Sequence, residues 1–400
     1  MHARPGTFHP FSGQRLGWIL GGLAALALLL GLLAHFLGAS RRQAERAQAA
    51  PSGWPDARRK LAASSQRAAE TEQASPKDSR PPDFEATTCW RSLDEFNEGV
   101  TVETFRKWAA ALMASEDEHV LTYLKERLAE LIGPDGGRAA EVLGWVREAS
   151  PKEAGVFLSA IRSSQAVQQP AVAARLAAMS LDKSLPLERR AGLLAALDTQ
   201  KQLDAATLGR FTELARDASS GEAGWAATRT IGRVMATDSQ RSGSQAAYLD
   251  KLLTIGSESS DDDIRYLAIS MPMHADPILD RSALERYAKI LTTEGSANGR
   301  DAAAHMLSLS QDKARVLEIF ASAFRADGDI CARWAMFRFA ARAAGKEALP
   351  VMAVMASADP RFQDDHRIFE QIYGSGVVDF DRVWLSLPDQ DPHGCLHRPD

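Results

Sequence analysis

The stretch Asp261-Asp-Asp-Ile-Arg-Tyr-Leu-Ala-Ile-Ser-Met271 has the pattern of a helix that begins with acidic residues and buries one face. Its apolar residues follow the i, i+3, i+4, i+7 spacing of an amphipathic helix: Ile264, Leu267, Ala268 and Met271. Arg265 lies inside this pattern, and arginines recur in similar settings at Arg300 and Arg333. The steps between them are 35 (300 minus 265) and 33 (333 minus 300) residues. A fixed period of that length predicts stacked helical repeats.

The composition favours an all-α chain. Of the 400 residues, 45% are hydrophobic and 7% aromatic, and runs that alternate Val, Ile or Thr with polar residues are almost absent. Residues 1–80 carry 11 Lys and Arg against 5 Asp and Glu, a net charge of +6, whereas residues 81–400 carry 36 against 47, a net charge of −11. Because nucleic-acid binding requires clustered cations, this acidic charge argues against a nucleic-acid partner.

An uncharged run of 22 residues, Leu16–Leu37, predicts a membrane segment. A helix rises about 1.5 Å per residue, so this run can cross a hydrocarbon core of about 30 Å. We expect a retained single-pass anchor over 16–38, after a short tail over 1–15, in the inner (cytoplasmic) membrane. The alternative is a cleaved signal peptide, for which Leu37-Gly38-Ala39 is a weak cleavage site. The flanking arginines slightly favour a cytoplasmic main domain, but large domains translocate largely regardless of such charges. We therefore expect a periplasmic or extracellular main domain.

Residues 39–88 predict a flexible, disordered linker. Ala, Ser, Gln, Pro and Arg dominate this region, and prolines such as Pro51 and Pro76 interrupt any helical periodicity. The linker would tether the folded region, which begins near Cys89, to the bilayer. In the alternative reading, its scattered cations lie on anionic lipid headgroups.

Helix-start signals recur through the folded region. Thr101 is placed to cap a helix, and Ser-x-x-Glu capping boxes stand at Ser150–Glu153, Ser219–Glu222 and Ser282–Glu285. Starts that recur at such intervals predict short helices packed in pairs.

The pairs are expected to be irregular over 89–184 and regular over 185–358, with a C-terminal cap and tail over 359–400. The expected first helices cover residues 186–197, 222–235, 261–271, 297–309 and 329–344. The expected second helices cover residues 204–218, 245–255, 283–293, 313–325 and 347–356. Each helix carries a one-sided apolar stripe, and a lone pair cannot bury two such stripes, so the pairs must stack.

The repeated unit resembles the bacterial type of HEAT repeat. In that family an acidic turn and a Val/Ile-Arg pair open the first helix, which Leu185-Pro-Leu-Glu-Arg-Arg190 and Asp-Asp-Ile-Arg265 match in part. Gly345-Lys-Glu-Ala-Leu-Pro350 is similar to the start of the family's second helix, while Trp225 stands where one arginine would fall. The resemblance implies a right-handed α-solenoid that serves as a binding scaffold, and it carries over no catalytic residue.

Arginines recur once per repeat at Arg189 (or its neighbour Arg190), Arg265, Arg300 and Arg333. We interpret each as bonding the carbonyls or a carboxylate of an adjacent turn, which would join successive repeats. The alternative is a row of cations that recognises an acidic partner.

No motif predicts catalysis, a cofactor or a metal. The sequence has no His-Glu-x-x-His, no Gly-x-Ser-x-Gly and no phosphate-binding loop. His305 lies on the apolar side of a helix and is interpreted as a hydrogen-bonded core histidine. The carboxylates of Asp261, Asp262 and Asp263 are explained by the helix dipole rather than by a cation site.

The C-terminal tail contains soft metal ligands at alternate positions, His393-Gly-Cys395-Leu-His397, with Asp391 as a possible fourth. A Pro-flanked chain end favours disorder over a zinc or copper site. We expect Cys89, Cys331 and Cys395 to be free thiols. The alternative is a disulfide between Cys331 and Cys395 that fastens the tail to the last repeat.

These features predict a membrane-anchored scaffold that binds a protein partner in a solenoid groove. The alternatives are an enzyme, lyase-like or hydrolytic, with its site in the groove, and an envelope chaperone or assembly factor. A pocket that joins His, Asp and Arg from neighbouring repeats with perturbed pKa values would favour the enzyme. A smooth groove lined with exposed apolar or charged residues would favour binding.

Overall fold

The computed structural model describes residues 95–243 and 245–396, which form helices joined by short loops. Contacts divide the chain into Met1–Arg80 and Pro81–Asp400, and every described residue belongs to the second unit. The described residues contain no strand, which confirms the all-α class for this part of the chain. The predicted span Leu16–Leu37 and the linker lie outside them. None of the helices in the described part is long and apolar enough to cross a membrane.

The helices fall into an irregular and a regular group. The irregular group is α1 (Val102–Trp108), α2 (Ala110–Met113), α3 (Glu118–Ile132), α4 (Gly136–Trp145), α5 (Pro151–Ser163) and α6 (Pro170–Ser180). The regular group is α7 (Leu187–Leu197), α8 (Ala205–Arg216), α9 (Gly221–Ser242), α10 (Ala246–Glu258), α11 (Asp262–Ser270), α12 (Arg281–Thr293), α13 (Ala297–Ser308), α14 (Lys313–Ala326), α15 (Ile330–Ala344) and α16 (Leu349–Ala358). A cap of α17 (Gln363–Gly374) and α18 (Phe380–Leu385) follows. From α7 to α16, odd numbers are first helices and even numbers are second helices.

The regular helices lie where the periodicity predicts, within a few residues, except that α9 is longer. It continues to Ser242 and ends at Gly243, whose φ of +70° is the left-handed conformation that glycine adopts without strain. The helix packs against a 3-10 turn, Met271–Ala275, that follows α11. Gly232 permits this contact, because a Cβ there would lie 2.6 Å from the Cε atom of Met271.

Side-chain caps begin many of the helices, but two of the predicted caps are wrong. The box at Ser150–Glu153 is present, with both side chains bonding each other's backbone N–H. At Ser219–Glu222, however, the Ser219 hydroxyl donates to Asp217 at 2.7 Å. At Ser282–Glu285 the cap is Asp280, whose carboxylate accepts the third backbone N–H of α12 at 2.8 Å. A carboxylate at that position also interacts favourably with the helix dipole.

Each row of helices packs in series. First helices contact one another from α7 to α15, and second helices contact one another from α8 to α16. The two rows share one core, whose largest buried side chains include Trp334, Tyr287, Phe211, Phe320 and Phe337. Burial of a side chain of this type stabilises by about 1.5–3 kcal/mol, and a single pair would leave much of this surface in water.

Candidate functional site

Arg265 is held between two successive loops. Its Nε and Nη2 atoms donate to both carboxylate oxygens of Glu294, at 2.8 and 3.1 Å, and Nη1 donates to the carbonyl of Ser259 at 3.1 Å. Ser259 follows the last residue of α10, and Glu294 follows the last residue of α12. The arginine therefore bonds the loop before its own helix pair and the loop after it. Its side chain is 17% exposed.

Arg300 and Arg333 repeat this arrangement. Arg300 donates to the carbonyl of Glu294 at 2.7 Å, and its Nε lies 2.9 Å from a carboxylate oxygen of Asp327. Arg333 donates to a carbonyl near the end of α14 at 3.0 Å and to Asp359 at 2.8 Å. Asp327 and Asp359 follow α14 and α16 as Glu294 follows α12. The two arginine side chains are 11% and 19% exposed, so little of either faces solvent.

Arg190, rather than Arg189, makes the equivalent contact in the first regular pair. Its Nε donates to the carbonyl of Ser180 at 2.8 Å in the interior. Arg189 donates instead to the carbonyls of Arg147 and Ala149, at 2.7 and 2.5 Å, just after α4. Both arginines join separate helices, but only Arg190 belongs to the repeated series.

Gly224, rather than Trp225, takes the arginine position in the second pair, so that part of the prediction is wrong. A Cβ on Gly224 would lie 3.4 Å from the carbonyl oxygen of Leu214, near the end of α8. The Ser220 hydroxyl donates to this carbonyl at 2.5 Å and so replaces the missing guanidinium. Trp225, one residue further along, is 41% exposed.

Local contacts account for the acidic start of α11. Asp261 accepts the backbone N–H of Ile264 at 3.0 Å, and Asp262 accepts a hydrogen bond from Arg265 at 2.8 Å. Among the residues that the structure describes, no group of three or more His, Cys, Asp or Glu side chains is arranged to hold a metal.

The C-terminal segment 380–396, called the tail below, folds back on the domain. The expected disorder of this end is therefore wrong as far as Leu396, and His397 lies outside the described residues. Cys395 forms a disulfide with Cys331, with a Cα–Cα distance of 5.3 Å. The prediction that these two thiols are free is wrong, and the alternative pairing is the one present.

The tail runs along one side of α15, from its C-terminal to its N-terminal end. Its contacts, in order, are Phe380 on Arg342 (5.7 Å), Trp384 on Arg338 (5.9 Å), His393 against Trp334 (5.4 Å) and the bond from Cys395 to Cys331. A nitrogen of His393 also lies 2.9 Å from a carboxylate oxygen of Asp365 on α17. His393 and Cys395, two of the candidate metal ligands, therefore contact or bond other residues of the chain.

A polar cluster joins α13 and α15. Arg338, which is 5% exposed, donates through Nη2 to Asp301 on the neighbouring first helix. His305, one turn after Asp301, stacks on Phe339 with ring centroids 4.8 Å apart. The contact that holds His305 is therefore ring stacking and not the predicted hydrogen bond in the core.

The electrostatics of this cluster shift two pKa values in opposite directions. Burial raises the pKa of Asp301, although Arg338 acts in the other direction. Burial, with Arg342 and Arg338 adding to the effect, lowers the pKa of His305 to about 4. His305 is therefore neutral at neutral pH, and its ring can lie against Phe339 without the cost of burying a charge.

Exposed apolar side chains lie on successive first helices. Leu187 on α7 is 40% exposed, Trp225 on α9 is 41% exposed and Tyr266 on α11 is 46% exposed. Trp225 and Tyr266 directly follow the position of the repeat arginine, and this regular placement is the signal that sequence reasoning missed. Single exposed apolar residues are common, but a row of them on helices that pack in series forms a candidate interaction face.

In the part of the chain that the structure describes, grooves lie between neighbouring second helices. The larger, about 340 Å³, lies between α10 and α12 and is lined by Ile278 among others. The ion pair of Arg286 with Asp250 lines it, with a nitrogen–oxygen distance of 2.7 Å. The smaller, about 170 Å³, includes the pair of Arg315 with Glu285. Neither groove includes the polar cluster of α13 and α15.

Comparison of the chain with protein-family models, with curated proteins and with solved structures finds no match.

Proposed function

We propose that the regular helix pairs form a right-handed α-solenoid of HEAT-like repeats that serves as a protein-interaction scaffold. The order of contacts supports this architecture, because stacked repeats contact mainly their neighbours and both rows of helices pack in series. The arginines add support, since Arg265 and Arg300 each link the loops on either side of a pair, and Arg333 links the last turn of α14 to the residue after α16.

The exposure of Trp225 carries the functional part of the proposal. This tryptophan is 41% exposed on a helix whose other large apolar side chains are buried. The guanidinium carbon of Arg229 lies 5.9 Å from the centre of its ring system, and Arg233, one turn further, is exposed. Trp and Arg are the residue types that contribute most often to the strongest contacts of protein interfaces. A protein partner fits this face.

The proposed compartment lies outside the cytoplasm, with the chain anchored through Leu16–Leu37. The disulfide between Cys331 and Cys395 supports this location, because structural disulfides persist in oxidising compartments and are rare in the cytosol. A scaffold in the periplasm or at the cell exterior would meet envelope proteins. An assembly factor or chaperone would be a narrower form of the same function.

Site-specific photo-crosslinking in native membranes tests the proposal. A photo-reactive amino acid at position 225 should capture a defined protein. The matched control is position 313, where Lys313 is also exposed but begins the second helix α14. Equal capture from both positions, or none from position 225, would contradict a partner-binding face on the first helices.

An enzyme is the second candidate, and one observation favours it. Asp301 and His305 lie one turn apart with oppositely shifted pKa values, and Arg338 bonds the carboxylate. Such opposed shifts are a feature of catalytic acid–base groups. Because neither described groove opens at these residues, the scaffold ranks first. A hydrolase or lyase activity that Asp301→Asn and His305→Gln both abolish, and Trp225→Ala leaves unchanged, would reverse the ranking.

A further inference from the structure

Two first helices carry the same surface pattern. Trp225-Ala-Ala-Thr-Arg229-Thr-Ile-Gly-Arg233 of α9 and Trp334-Ala-Met-Phe-Arg338-Phe-Ala-Ala-Arg342 of α15 both place Trp, Arg and Arg at i, i+4 and i+8. At this spacing the three side chains lie along one side of a helix. We call these sets the α9 stripe and the α15 stripe. In both, the first arginine lies over the tryptophan, at 5.9 Å for Arg229 and 6.0 Å for Arg338.

Each stripe also has its own acidic neighbour. Arg229 lies 3.8 Å from the carboxylate of Asp198, which follows the preceding first helix, α7. Arg338 bonds Asp301 on its own preceding first helix, α13. Each stripe therefore consists of a tryptophan, a cation near its ring and a carboxylate close to that cation. Arg338 donates a hydrogen bond to Asp301, whereas Asp198 accepts its hydrogen bonds from Arg162, at 2.8 and 3.0 Å.

The stripes differ in what covers them. The tail stacks three side chains on the α15 stripe: Phe380 on Arg342, Trp384 on Arg338 and His393 on Trp334. With these contacts and the packing of the neighbouring helices on α15, Trp334 is 1% exposed and Arg338 is 5% exposed. On the α9 stripe, Trp225 is 41% exposed and Arg233 is exposed. The Trp-Arg-Arg surface is therefore covered by the tail on α15 and exposed to solvent on α9.

We propose that the α9 stripe binds a helix of a partner protein that carries two aromatic side chains four residues apart. The tail shows the chemistry that fits, because Phe380 and Trp384 have this spacing on α18 and place one ring on each arginine. An aromatic face attracts a guanidinium group, and the attraction increases when water is excluded. Residues at i and i+4 of a bound helix match arginines at the same spacing. This partner class rests on the proposed scaffold function.

We assign the partner helix to a different protein rather than to a second copy of this chain, because the tail of each copy is already bound to its own α15. The disulfide between Cys331 and Cys395 ties the tail to α15 of its own chain. A second copy could supply the same helix only by releasing Phe380 and Trp384 from their own arginines, which would expose Trp334 and Arg338.

Fluorescence anisotropy with a labelled peptide of residues 377–388 tests the proposal on the oxidised full-length protein in detergent. The disulfide keeps the α15 stripe covered, so we expect saturable binding at the α9 stripe. Trp225→Ala, and separately Arg233→Glu, should weaken binding by about tenfold or more, the size typical of central interface residues. A peptide with Phe380→Ala and Trp384→Ala is the matched control and should lose affinity by a similar factor.

Absence of saturable binding, or equal affinity for the unchanged protein and both protein variants, would overturn the proposal. Unchanged thermal unfolding of Arg233→Glu would show that a loss of binding is not a loss of fold. A dimer of the oxidised protein that the peptide dissociates would identify the occupant as the tail of a second copy, against our assignment. Specific crosslinking from position 225 without peptide binding would leave the scaffold function standing and reject the aromatic partner class alone.

Discussion

Replacement of Arg265 by methionine should destabilise the domain far more than the same replacement of Arg315. Both arginines bond the two carboxylate oxygens of a glutamate. Arg265 bonds Glu294, 29 residues away, at 2.8 and 3.1 Å. Arg315 bonds Glu285, 30 residues away, at 3.0 and 3.2 Å. The pairs differ in burial. The side chains of Arg265 and Glu294 are 17% and 5% exposed, and those of Arg315 and Glu285 are 43% and 44% exposed.

The magnitude follows from this difference in burial. Without Arg265, the carboxylate of Glu294 stays buried without its cation, and the carbonyl of Ser259 loses its donor. Removal of one partner from a buried ion pair costs about 3–5 kcal/mol, whereas an exposed pair contributes about 0–1 kcal/mol. We expect the free energy of unfolding to fall by about 3–5 kcal/mol in Arg265→Met and by less than about 1 kcal/mol in Arg315→Met.

Urea unfolding followed by circular dichroism and by tryptophan fluorescence measures both losses. Coincident transitions from the two probes show that one free energy describes the unfolding, which the proposed repeat array would not guarantee. Equal losses in the two variants, or a loss below about 1 kcal/mol in Arg265→Met, would refute the conclusion that the buried arginines hold successive pairs together.

The same pair predicts a pH dependence. Burial alone would raise the pKa of Glu294, but the hydrogen bond from Arg265, together with backbone donors, lowers it below its ordinary value of 4.5. A carboxyl group with a lowered pKa contributes stability that is present above the ordinary value and is lost as the pH falls through the folded value. The stability difference between the unchanged protein and Arg265→Met should therefore shrink on acidification, first as the unpaired Glu294 of the variant is protonated and then as the pH falls through the lowered pKa of the unchanged protein. A difference that grows on acidification would contradict the assigned contact.

Thiol titration of the unfolded, unreduced protein should find one of the three cysteines free, because Cys331 and Cys395 are joined; three free thiols would exclude the disulfide. Replacement of both by serine should lower the free energy of unfolding by about 4 kcal/mol, the chain-entropy value for a closed loop of 64 residues. Because the pKa of His305 is lowered from 6.5 to about 4, the domain should lose stability as the pH falls across that interval, and His305→Gln should show a flatter pH profile in chemical unfolding. Trp334→Ala should lower the free energy of unfolding by about 3–5 kcal/mol, and Trp225→Ala should lower it by less than about 1 kcal/mol. Similar decreases for both variants in urea unfolding would contradict the surface position of Trp225.

Helix positions in this protein follow from local rules that a sequence displays. The spacing of Ile264, Ala268 and neighbouring apolar residues predicts α11, because only one face of a surface helix can enter the core. The 33–35-residue arginine period predicts the repeat. Cap positions follow less directly from the sequence. Asp280, and not the predicted Ser282, caps α12, since several nearby side chains can bond the same backbone groups and tertiary packing selects among them.

The sequence also places the repeat arginines, but not their partners. Glu294, Asp327 and Asp359 follow second helices and carry no local sign of contact with an arginine 26 to 29 residues earlier. At Gly224 a glycine stands in place of the repeat arginine, and no feature of the sequence explains the change. The Ser220 hydroxyl donates to the carbonyl of Leu214, near the end of the preceding second helix, in place of the missing guanidinium. Such contacts arise only when successive loops are brought together by stacking.

Apolar periodicity predicts the all-α class, which the described residues confirm, and most of the helix positions. The Trp-Arg-Arg spacing of the two stripes is also present in the sequence, but the spacing alone does not distinguish one stripe from the other. The difference between the stripes appears only in three dimensions: Trp334 is 1% exposed beneath the tail, whereas Trp225 is 41% exposed. The reason is that periodicity specifies which side chains share a helix face, whereas the cover comes from a remote segment. In this protein that segment is the tail, which the bond between Cys331 and Cys395 holds in place across a sequence separation of 64 residues.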